Sequence, residues 1–385
     1  MPPAATNAIT PPQPPSAAPA APPLKALGRK RGVFGKLWHD KMARAAMIVL
    51  FCFYSAAAFA DFFAPYSMEF GDTTIGNAPA TLIHIYDDQG NFCAPYVLQI
   101  EQHNNLSTYQ QTFSEVEGSK YPIHLFTHGE SYKLLGFIPA NIHLFGVQAP
   151  ARLFILGADM NGRDNYSRLF FGSQKSLTIG FLGLLIAFPI GILYGGISGH
   201  LGGAVDNAMM RFAEAVMSIP SFYLLIGLAA VLPTGMSSAQ RFALITVILS
   251  FIGWSPLARV IRGMVLSIRE EEFVQSARAL GLPEFQNIVR HVLPQTASYV
   301  IVAATLQVPN FILAESSLSL IGLGIQQPDA SWGNMLKAAM DQPNELLNQP
   351  WLIAPGFLIF VTILCFNSIG DVLRDVLDPK LQGRH

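Results

Sequence analysis

SIREEEFVQSARALGLPEFQNIVRHVLPQT, residues 267–296, lies between two apolar runs that are each long enough to cross a membrane. The sequence predicts two short helices in this loop. Ser267-Ile-Arg-Glu270 fits a capping box that starts the first helix, which runs to Leu280. Gly281 then fits a left-handed C-cap, and Pro283 fits the first turn of the second helix.

The second predicted helix is amphipathic. Its apolar residues recur at the spacing of one helical face, and they are Phe285, Ile288, Val289, Val292 and Leu293. The other face carries Glu284, Gln286, Asn287, Arg290 and His291, and Pro294 ends the helix. The pattern leaves two interpretations open. The helix either lies in the membrane interface or docks as a knob in a groove of a soluble partner.

The composition around this loop is that of a membrane protein. Of the 385 residues 51% are hydrophobic and only 13% are charged, whereas soluble domains carry about 25% charged residues. A net charge of −1 lacks the basic surplus of a nucleic-acid binder. Cys52, Cys93 and Cys365 lie far apart, so we expect neither a disulfide framework nor a metal site.

Apolar runs predict an all-α polytopic membrane protein with six transmembrane helices, since about 20 apolar residues span a bilayer as a helix. The predicted spans are residues 45–64, 177–198, 204–232, 242–265, 298–321 and 351–373. The first run also fits a secretory signal peptide with Ala58-Phe59-Ala60 as its cleavage site. We favour an uncleaved span, because several more spans follow.

The polar segments predict the remaining organisation. Residues 1–23 are Pro/Ala-rich and uncharged, which predicts a disordered tail, and residues 24–44 form a basic segment. Residues 65–170 predict a small β-rich extracytoplasmic domain inserted between the first two spans. Its clearest signal is the alternating strand pattern of residues 81–86, followed by the turn-forming residues 87–90.

The placement of Lys and Arg predicts that both termini are cytoplasmic. The loop after the fourth span carries Arg269, Arg278 and Arg290, whereas the two short outer loops carry only Arg241 and Lys337. The sequence therefore places residues 24–44, 267–296 and 376–385 on the cytoplasmic side.

Several blocks resemble the permease subunits of ABC importers. Residues 272–294 look like the "EAA" loop of that family, in which a coupling helix docks on the ATPase subunit. Ser276, Ala277 and Gly281 match the small positions of that loop, and Gln275 stands where the nominal Glu would be. The resemblance implies that ATPase coupling involves Gln275, Ser276, Ala277, Gly281, Phe285, Ile288, Val289, Arg290, His291, Leu293 and Pro294.

Over about residues 156–381 the chain resembles the second permease subunit of the dipeptide/oligopeptide/nickel importers. The matching blocks include Leu156-Gly-Ala-Asp159, Leu313-Ala-Glu315 and Leu373-Arg-Asp375. Ala158 replaces the usual Thr and Glu214 the usual Asp. The resemblance implies a type I ABC permease fold over residues 173–375, in a bacterial inner membrane.

The resemblance also implies the partners. They are a homologous permease subunit, two ATP-binding subunits that hold ATP and Mg, an extracytoplasmic solute-binding protein and membrane lipid, with no nucleic acid. The chain has no phosphate-binding loop or hydrolase motif, so we expect no enzyme activity and no cofactor in this subunit. Two alternatives remain: a stand-alone secondary transporter, or a membrane receptor or scaffold whose outer domain is its sensor.

Polar residues within the predicted spans are further candidates. Glu315 is either a pathway residue or a glutamate that is hydrogen-bonded between helices, and Asn310 and Pro309 are candidates for the pathway or for gating. Arg211 and Glu214 have the i, i+3 spacing of a structural ion pair.

Small residues and prolines in the spans predict how the helices pack. Residues 191, 195 and 199 are glycines with small-xxx-small spacing, which predicts tight helix packing. Four prolines mark candidate kinks, and they are Pro189, Pro220, Pro256 and Pro309.

Overall fold

The computed structural model describes residues 33–104, 111–233 and 235–377. The predicted disordered tail (1–23), residues 24–32 of the basic segment and residues 378–385 of the C-terminal tail lie outside these described residues.

The described residues form thirteen α-helices and five β-strands. The helices are α1 Val33–His39, α2 Lys41–Ala58, α3 Ala60–Phe63, α4 Asn165–Leu201, α5 Gly203–Ser218, α6 Ser221–Ala230, α7 Ser238–Ile268, α8 Glu272–Ala279, α9 Glu284–Asn287, α10 Ala297–Leu320, α11 Trp332–Met340, α12 Pro343–Asn348 and α13 Ala354–Leu377. The strands are β1 His84–Tyr86, β2 Phe92–Asn104, β3 Gln111–Pro122, β4 His124–Leu134 and β5 Ile138–Gly146.

Five helical segments in the described residues are long and apolar enough to cross a membrane, and they are centred on α2, α4, α7, α10 and α13. A sixth span exists only if α5 and α6 are counted together. Several helices are also longer than the predicted spans. In particular, α4 begins at Asn165 rather than at residue 177, because the polar stretch before the apolar run is helical too.

The predicted third span is not one straight helix. The axes of α5 and α6 are bent by 79°, and Ile219 is extended at the break, with φ −83° and ψ 124°. Pro220 explains this break, because a proline ring disfavours helical geometry at the preceding residue. The other three prolines lie inside continuous helices, so only Pro220 separates two helices, and the predicted kinks at Pro189, Pro256 and Pro309 stay predictions.

The helices α4 and α7 pack with their backbones in close contact. A Cβ atom built on Gly195 would lie 2.2 Å from the carbonyl oxygen of Ala258. Equivalent atoms on Gly191 and Gly199 would lie 2.8 and 2.7 Å from carbonyl oxygens of α7. The predicted tight packing of the small-xxx-small glycines is confirmed. The two largest apolar cores both include α4 and α10, so these helices are central to the bundle.

The segment between α3 and α4 is β-rich, as the strand pattern predicts. β1, β2 and β3 form an antiparallel sheet in that order, and β4 and β5 form a separate hairpin. The turn after β1 is present, with Gly90 at φ +81°. The predicted strand at residues 81–86 begins only at His84, because the Thr81 amide donates to the Phe154 carbonyl outside the sheet.

Hydrogen bonds attach the β-rich segment to one end of the bundle. His143 Nδ1 lies 2.6 Å from the carbonyl oxygen of Ala64, just after α3, and the Tyr66 amide donates to the Ser167 hydroxyl of α4. We call this the strand end. The loop with α8 and α9 lies at the opposite end, the loop end. The 37 residues of α4 separate the two ends by roughly 55 Å.

Asp164 is the N-cap residue of α4, at the strand end. Its carboxylate accepts hydrogen bonds from the Tyr166 and Ser167 amides and from the Ser167 hydroxyl, the last at 2.6 Å. Asp164 is 2% exposed. Burial raises the pKa of Asp164 to about 7, although the hydrogen bonds from Ser167 and Tyr166 act in the opposite direction.

We expect Gly195→Ala to destabilise the bundle by about 1–3 kcal/mol, because the added methyl group forces the two backbones apart. Gly263→Ala on α7 is the matched control, since a Cβ atom there meets nothing within 4 Å. Thermal unfolding of both purified variants in mild detergent measures the difference. Equal unfolding temperatures would show that the backbone contact is not limiting.

We expect the stability of the protein to depend on pH through Asp164. Because the folded-state pKa is raised, the folded protein holds a proton that the unfolded chain has lost between its ordinary pKa and about 7. The stability contributed by this group therefore falls as the pH rises through that window. Asp164→Asn keeps an N-cap acceptor and removes the titration. Its unfolding temperature should vary less with pH than that of the wild type and exceed it at about pH 8. Parallel profiles for the two proteins would contradict the raised pKa.

Candidate coupling loop

The first part of the loop differs from its predicted start. Ser267 lies in the last turn of α7, which ends at Ile268. α8 begins at Glu272, and its N-cap residue Glu271 makes no side-chain capping hydrogen bond. The predicted capping box at residues 267–270 is therefore wrong. The apolar residues of α7, such as the fully buried Val265, continue the helix past the predicted cap.

The helix end at Gly281 is confirmed. Gly281 has φ +80°, and its amide donates to the Arg278 carbonyl while the Leu282 amide donates to the Ala277 carbonyl. This is the Schellman pattern that ends a helix on a left-handed glycine. Pro283 lies just before α9 rather than inside its first turn, and its carbonyl accepts from the Asn287 amide.

The second predicted helix does not end at Pro294. After the four residues of α9 the chain forms a π-helical turn over Ile288–Val292 and a 3₁₀ turn over Leu293–Thr296, and then enters α10. Pro294 lies in the first turn of the 3₁₀ segment, where its missing N–H breaks no helical hydrogen bond. The loop is therefore continuous with the span that follows it.

The predicted apolar stripe is divided between two sides of the loop. Ile288 and Val292 are buried, whereas Phe285 and Val289 are exposed. A π-helical turn places more residues in each turn than an α-helix does, so the i, i+4 spacing no longer marks one face. Asn287, predicted on the polar side, is fully buried, and its Nδ2 donates to the Val274 carbonyl at 3.4 Å.

Apolar side chains project from this loop into the surroundings. Leu280 is 82% exposed and Phe285 63% exposed, and Phe273 and Val289 are also exposed. We call these four residues the exposed loop residues. The buried residues of the loop hold its position against the bundle, since Val274 and Val292 pack with Val265.

The other predicted coupling residues are distributed around this core. Ala277 is buried, Ser276 and Gln275 are exposed, and the Gln275 Nε2 donates to the Arg269 carbonyl at 2.9 Å. Arg290 and Pro294 are exposed, and His291 and Leu293 are half-buried.

An ion pair joins α5 and α7 at the loop end, and the sequence analysis did not predict it. Asp206 of α5 accepts from Arg262 of α7, with Nε–Oδ1 at 2.9 Å and Nη2–Oδ2 at 2.5 Å, and from the Ser198 hydroxyl at 2.6 Å. The available signal was an acidic and a basic residue in two predicted spans near the same side of the membrane. Such residues usually pair.

Glu315 contacts serines rather than an open path. It is fully buried in α10, and its carboxylate accepts from Ser319 at 2.6 Å, Ser316 at 3.4 Å and Ser176 of α4 at 3.5 Å. This geometry favours the hydrogen-bonded alternative over the pathway alternative. Pro309 is buried within the same continuous helix.

Asn310 is exposed and lines a cavity of about 190 Å³ between α6, α7 and α10. Gln307 and Ser221 also line it, so the polar groups lie where the third span is broken. Arg211 and Glu214 contact each other as their spacing predicts, with Nη1–Oε2 at 2.9 Å. Both are well exposed, so the pair contributes little to stability.

The described residues contain no group of three His, Cys, Asp or Glu side chains arranged to hold a metal ion.

Two stretches of the chain match known protein families of membrane transport proteins. Residues 187–383, just over half of the chain, match the binding-protein-dependent transport system inner membrane component family. The chain belongs to this family. Residues 31–80 also match the N-terminal transmembrane domain of oligopeptide transport permease C. The expected kinship with oligopeptide and dipeptide permeases is confirmed, and the family is one of multi-pass transport subunits of the inner membrane.

Named relatives match more than half of the length of this family member. It is 42% identical over 225 residues to the oligopeptide transport system permease protein OppC of Haemophilus influenzae, covering 58% of this chain and 70% of the relative. It is 40% identical over 227 residues to the dipeptide transport system permease protein DppC of Bacillus subtilis, covering 59% and 68%. The inward-facing methionine ABC transporter MetNI matches with 18% identity and a TM-score of 0.42, over 54% of this chain and 95% of that chain.

We expect Gly281→Val to loosen the loop, because a β-branched residue in the left-handed region costs about 1–2 kcal/mol. Gly281→Asn is the control, since Asn tolerates that conformation. A Cβ atom at residue 281 meets nothing within 4 Å, so the effect is one of backbone conformation. Hydrogen exchange of residues 272–287 should be roughly tenfold faster in the Val variant and little changed in the Asn variant. Equal acceleration in both would refute this explanation.

Proposed function

We propose that this chain is the membrane-spanning permease subunit of an ATP-driven ABC importer for peptides or similar small solutes. The main support for the proposal is the set of exposed loop residues. They project from a loop whose buried residues pack against one end of the bundle. A large apolar side chain such as Phe285 gains free energy when a partner removes it from water. The family and the relatives' names support a transport role.

The partner of the exposed loop residues is an ATP-binding subunit. A short helix that presents apolar side chains from a fixed scaffold suits a groove in a soluble protein. The alternative is an interfacial helix, which needs its apolar residues on one side. The division of the stripe between Ile288 and Val292 inside and Phe285 and Val289 outside makes the inward set unavailable to lipid.

The assembly follows from this assignment. A related permease completes a heterodimer, two ATP-binding subunits supply ATP and Mg, and a solute-binding protein delivers the solute from outside. The loop end faces the cytoplasm, since it carries Arg259, Arg262, Arg269, Arg278 and Arg290. The β-rich segment, residues 65–170, is then extracytoplasmic, and both termini are cytoplasmic. The type I ABC permease fold over residues 173–375 belongs to this proposal.

The solute crosses between the two permeases by alternating access. Within this chain the cavity at Asn310 and Gln307 is the best candidate for the path, because it presents amide groups at the break between α5 and α6. Neutral amides suit the peptide groups of a solute, which need both donors and acceptors. Glu315 and Pro309 are buried away from this cavity, which supports structural roles for them.

We expect Leu280→Ala and Phe285→Ala to weaken the association with the ATP-binding subunits. Each loses about 1.5–3 kcal/mol of burial, which is roughly tenfold or more in affinity. Leu347→Ala in α12 is the matched control, because Leu347 is also 82% exposed but lies outside the loop. Co-purification in mild detergent measures the association.

Uptake of labelled di- and oligopeptides, compared with nickel, tests the function itself. A strain that lacks this subunit should regain ATP-dependent uptake with the wild type and with Leu347→Ala, and much less with Phe285→Ala. Uptake by the Phe285 variant at wild-type level, together with retained ATPase subunits, would show that the loop is not the docking site. Absence of uptake for all three solute classes would contradict the proposed substrates.

A further inference from the structure

Arg269 contacts three helices at the loop end. Its backbone amide donates to the Val265 carbonyl and closes α7. Its guanidinium Nη1 lies 3.2 Å from the Gly199 carbonyl and 3.5 Å from the His200 carbonyl, in the last turn of α4. Its own carbonyl accepts from the Gln275 side chain of α8. One residue therefore joins α4, α7 and α8.

The position of the guanidinium suits its chemistry. The last carbonyls of a helix lack intrahelical partners, and the C-terminal end of a helix attracts positive charge. A guanidinium donates in several directions within one plane, which an ammonium group does not. Its Nε is occupied by Glu270 at 2.9 Å, so Nη1 is directed at the end of α4.

The turn between α4 and α5 is shaped around this side chain. Gly202 has φ +67° and ψ −167°, a backbone conformation that is essentially restricted to glycine. A Cβ atom at Gly202 would also lie 2.9 Å from Nη1 of Arg269. Any larger residue at Gly202 would therefore strain the backbone and displace the guanidinium.

A second set of contacts between helices lies two helical turns closer to the N-terminus of α7. Arg262 binds Asp206 of α5, and Asp206 also accepts from Ser198 of α4. Arg262 and Arg269 are seven residues apart, so they lie on the same side of α7. The ends of α4 and α7 are thus held together at two levels, and α5 joins them at the level of Asp206.

Apolar contacts also hold the loop against the bundle. Val274 and Val292 pack on α7, and the Leu293 side chain lies close to Gly196 of α4. Apolar contacts are not directional, so they allow α8 to slide. The hydrogen bonds of Arg269 fix the position of α8 relative to the end of α4.

We propose that Arg269 is a positioning residue that passes the movement of α8 to α4 and α5 during transport. The inference rests on the proposed function, in which α8 moves with the ATP-binding subunits. When α8 is displaced, the hydrogen bond from Gln275 moves the Arg269 backbone with it. The hydrogen bonds from the Arg269 guanidinium then move the end of α4. The loop then moves the bundle as one body rather than sliding on its apolar contacts.

The test measures uptake and ATP hydrolysis together, in proteoliposomes that contain the whole complex. We expect Arg269→Ala to keep its ATP-binding subunits and their hydrolysis but to lower the solute taken up per ATP by roughly tenfold, within the usual range of coupling energies. Arg269→Lys should recover part of this ratio, since it retains the charge but not the fork. Arg211→Ala is the control, because that exposed arginine pairs with Glu214 within its own helix.

Each outcome decides the inference. An unchanged ratio in Arg269→Ala overturns it, and so does loss of the ATP-binding subunits, which would make Arg269 a docking determinant instead. If Arg269→Ala does not fold, Gln275→Leu, which removes only the bond to the Arg269 carbonyl, should lower the same ratio; a normal ratio there also overturns it. A wild-type complex without ATP-dependent uptake would contradict the proposed function rather than this inference.

Discussion

The close approach of the α4 and α7 backbones is the constraint on which the rest of the structure depends. Helices in lipid gain little from burying apolar surface against one another, so they associate through packing and hydrogen bonds. Glycines at residues 191, 195 and 199 let the two backbones touch over more than two turns. The same approach brings the end of α7 beside the last turn of α4, so that Arg269 reaches the Gly199 carbonyl.

Two departures from regular α-helix shape the surfaces that we assign to the solute and to the ATP-binding subunits. Pro220 interrupts the third span and leaves a cavity with the amide of Asn310 on its wall. The π-helical turn after α9 rotates the loop, so that Ile288 faces the bundle and Phe285 faces outward.

Local sequence rules were reliable where the physics is local. Long apolar runs predicted the helices, Gly281 predicted the helix end, and glycine spacing predicted the α4–α7 contact. The rules were unreliable where two distant segments compete for one residue. The capping signal at Ser267 is overridden by the packing of α7, and the polar Asn287 is buried because Val274 offers it a carbonyl.

The sequence alone indicated a helical membrane protein with a β-rich insertion and a six-run pattern, and its resemblance to ABC permeases predicted a coupling loop. Those features follow from hydrophobic length, turn chemistry and short motifs, which are properties of neighbouring residues. The tertiary structure alone decided that Ser176 of α4 donates to Glu315 of α10, that Asp206 pairs with Arg262 and that Arg269 joins three helices. Each of these contacts joins residues from different helices or packs one helix against others. Their distances depend on how closely the helices pack, and no local pattern in the chain encodes that distance.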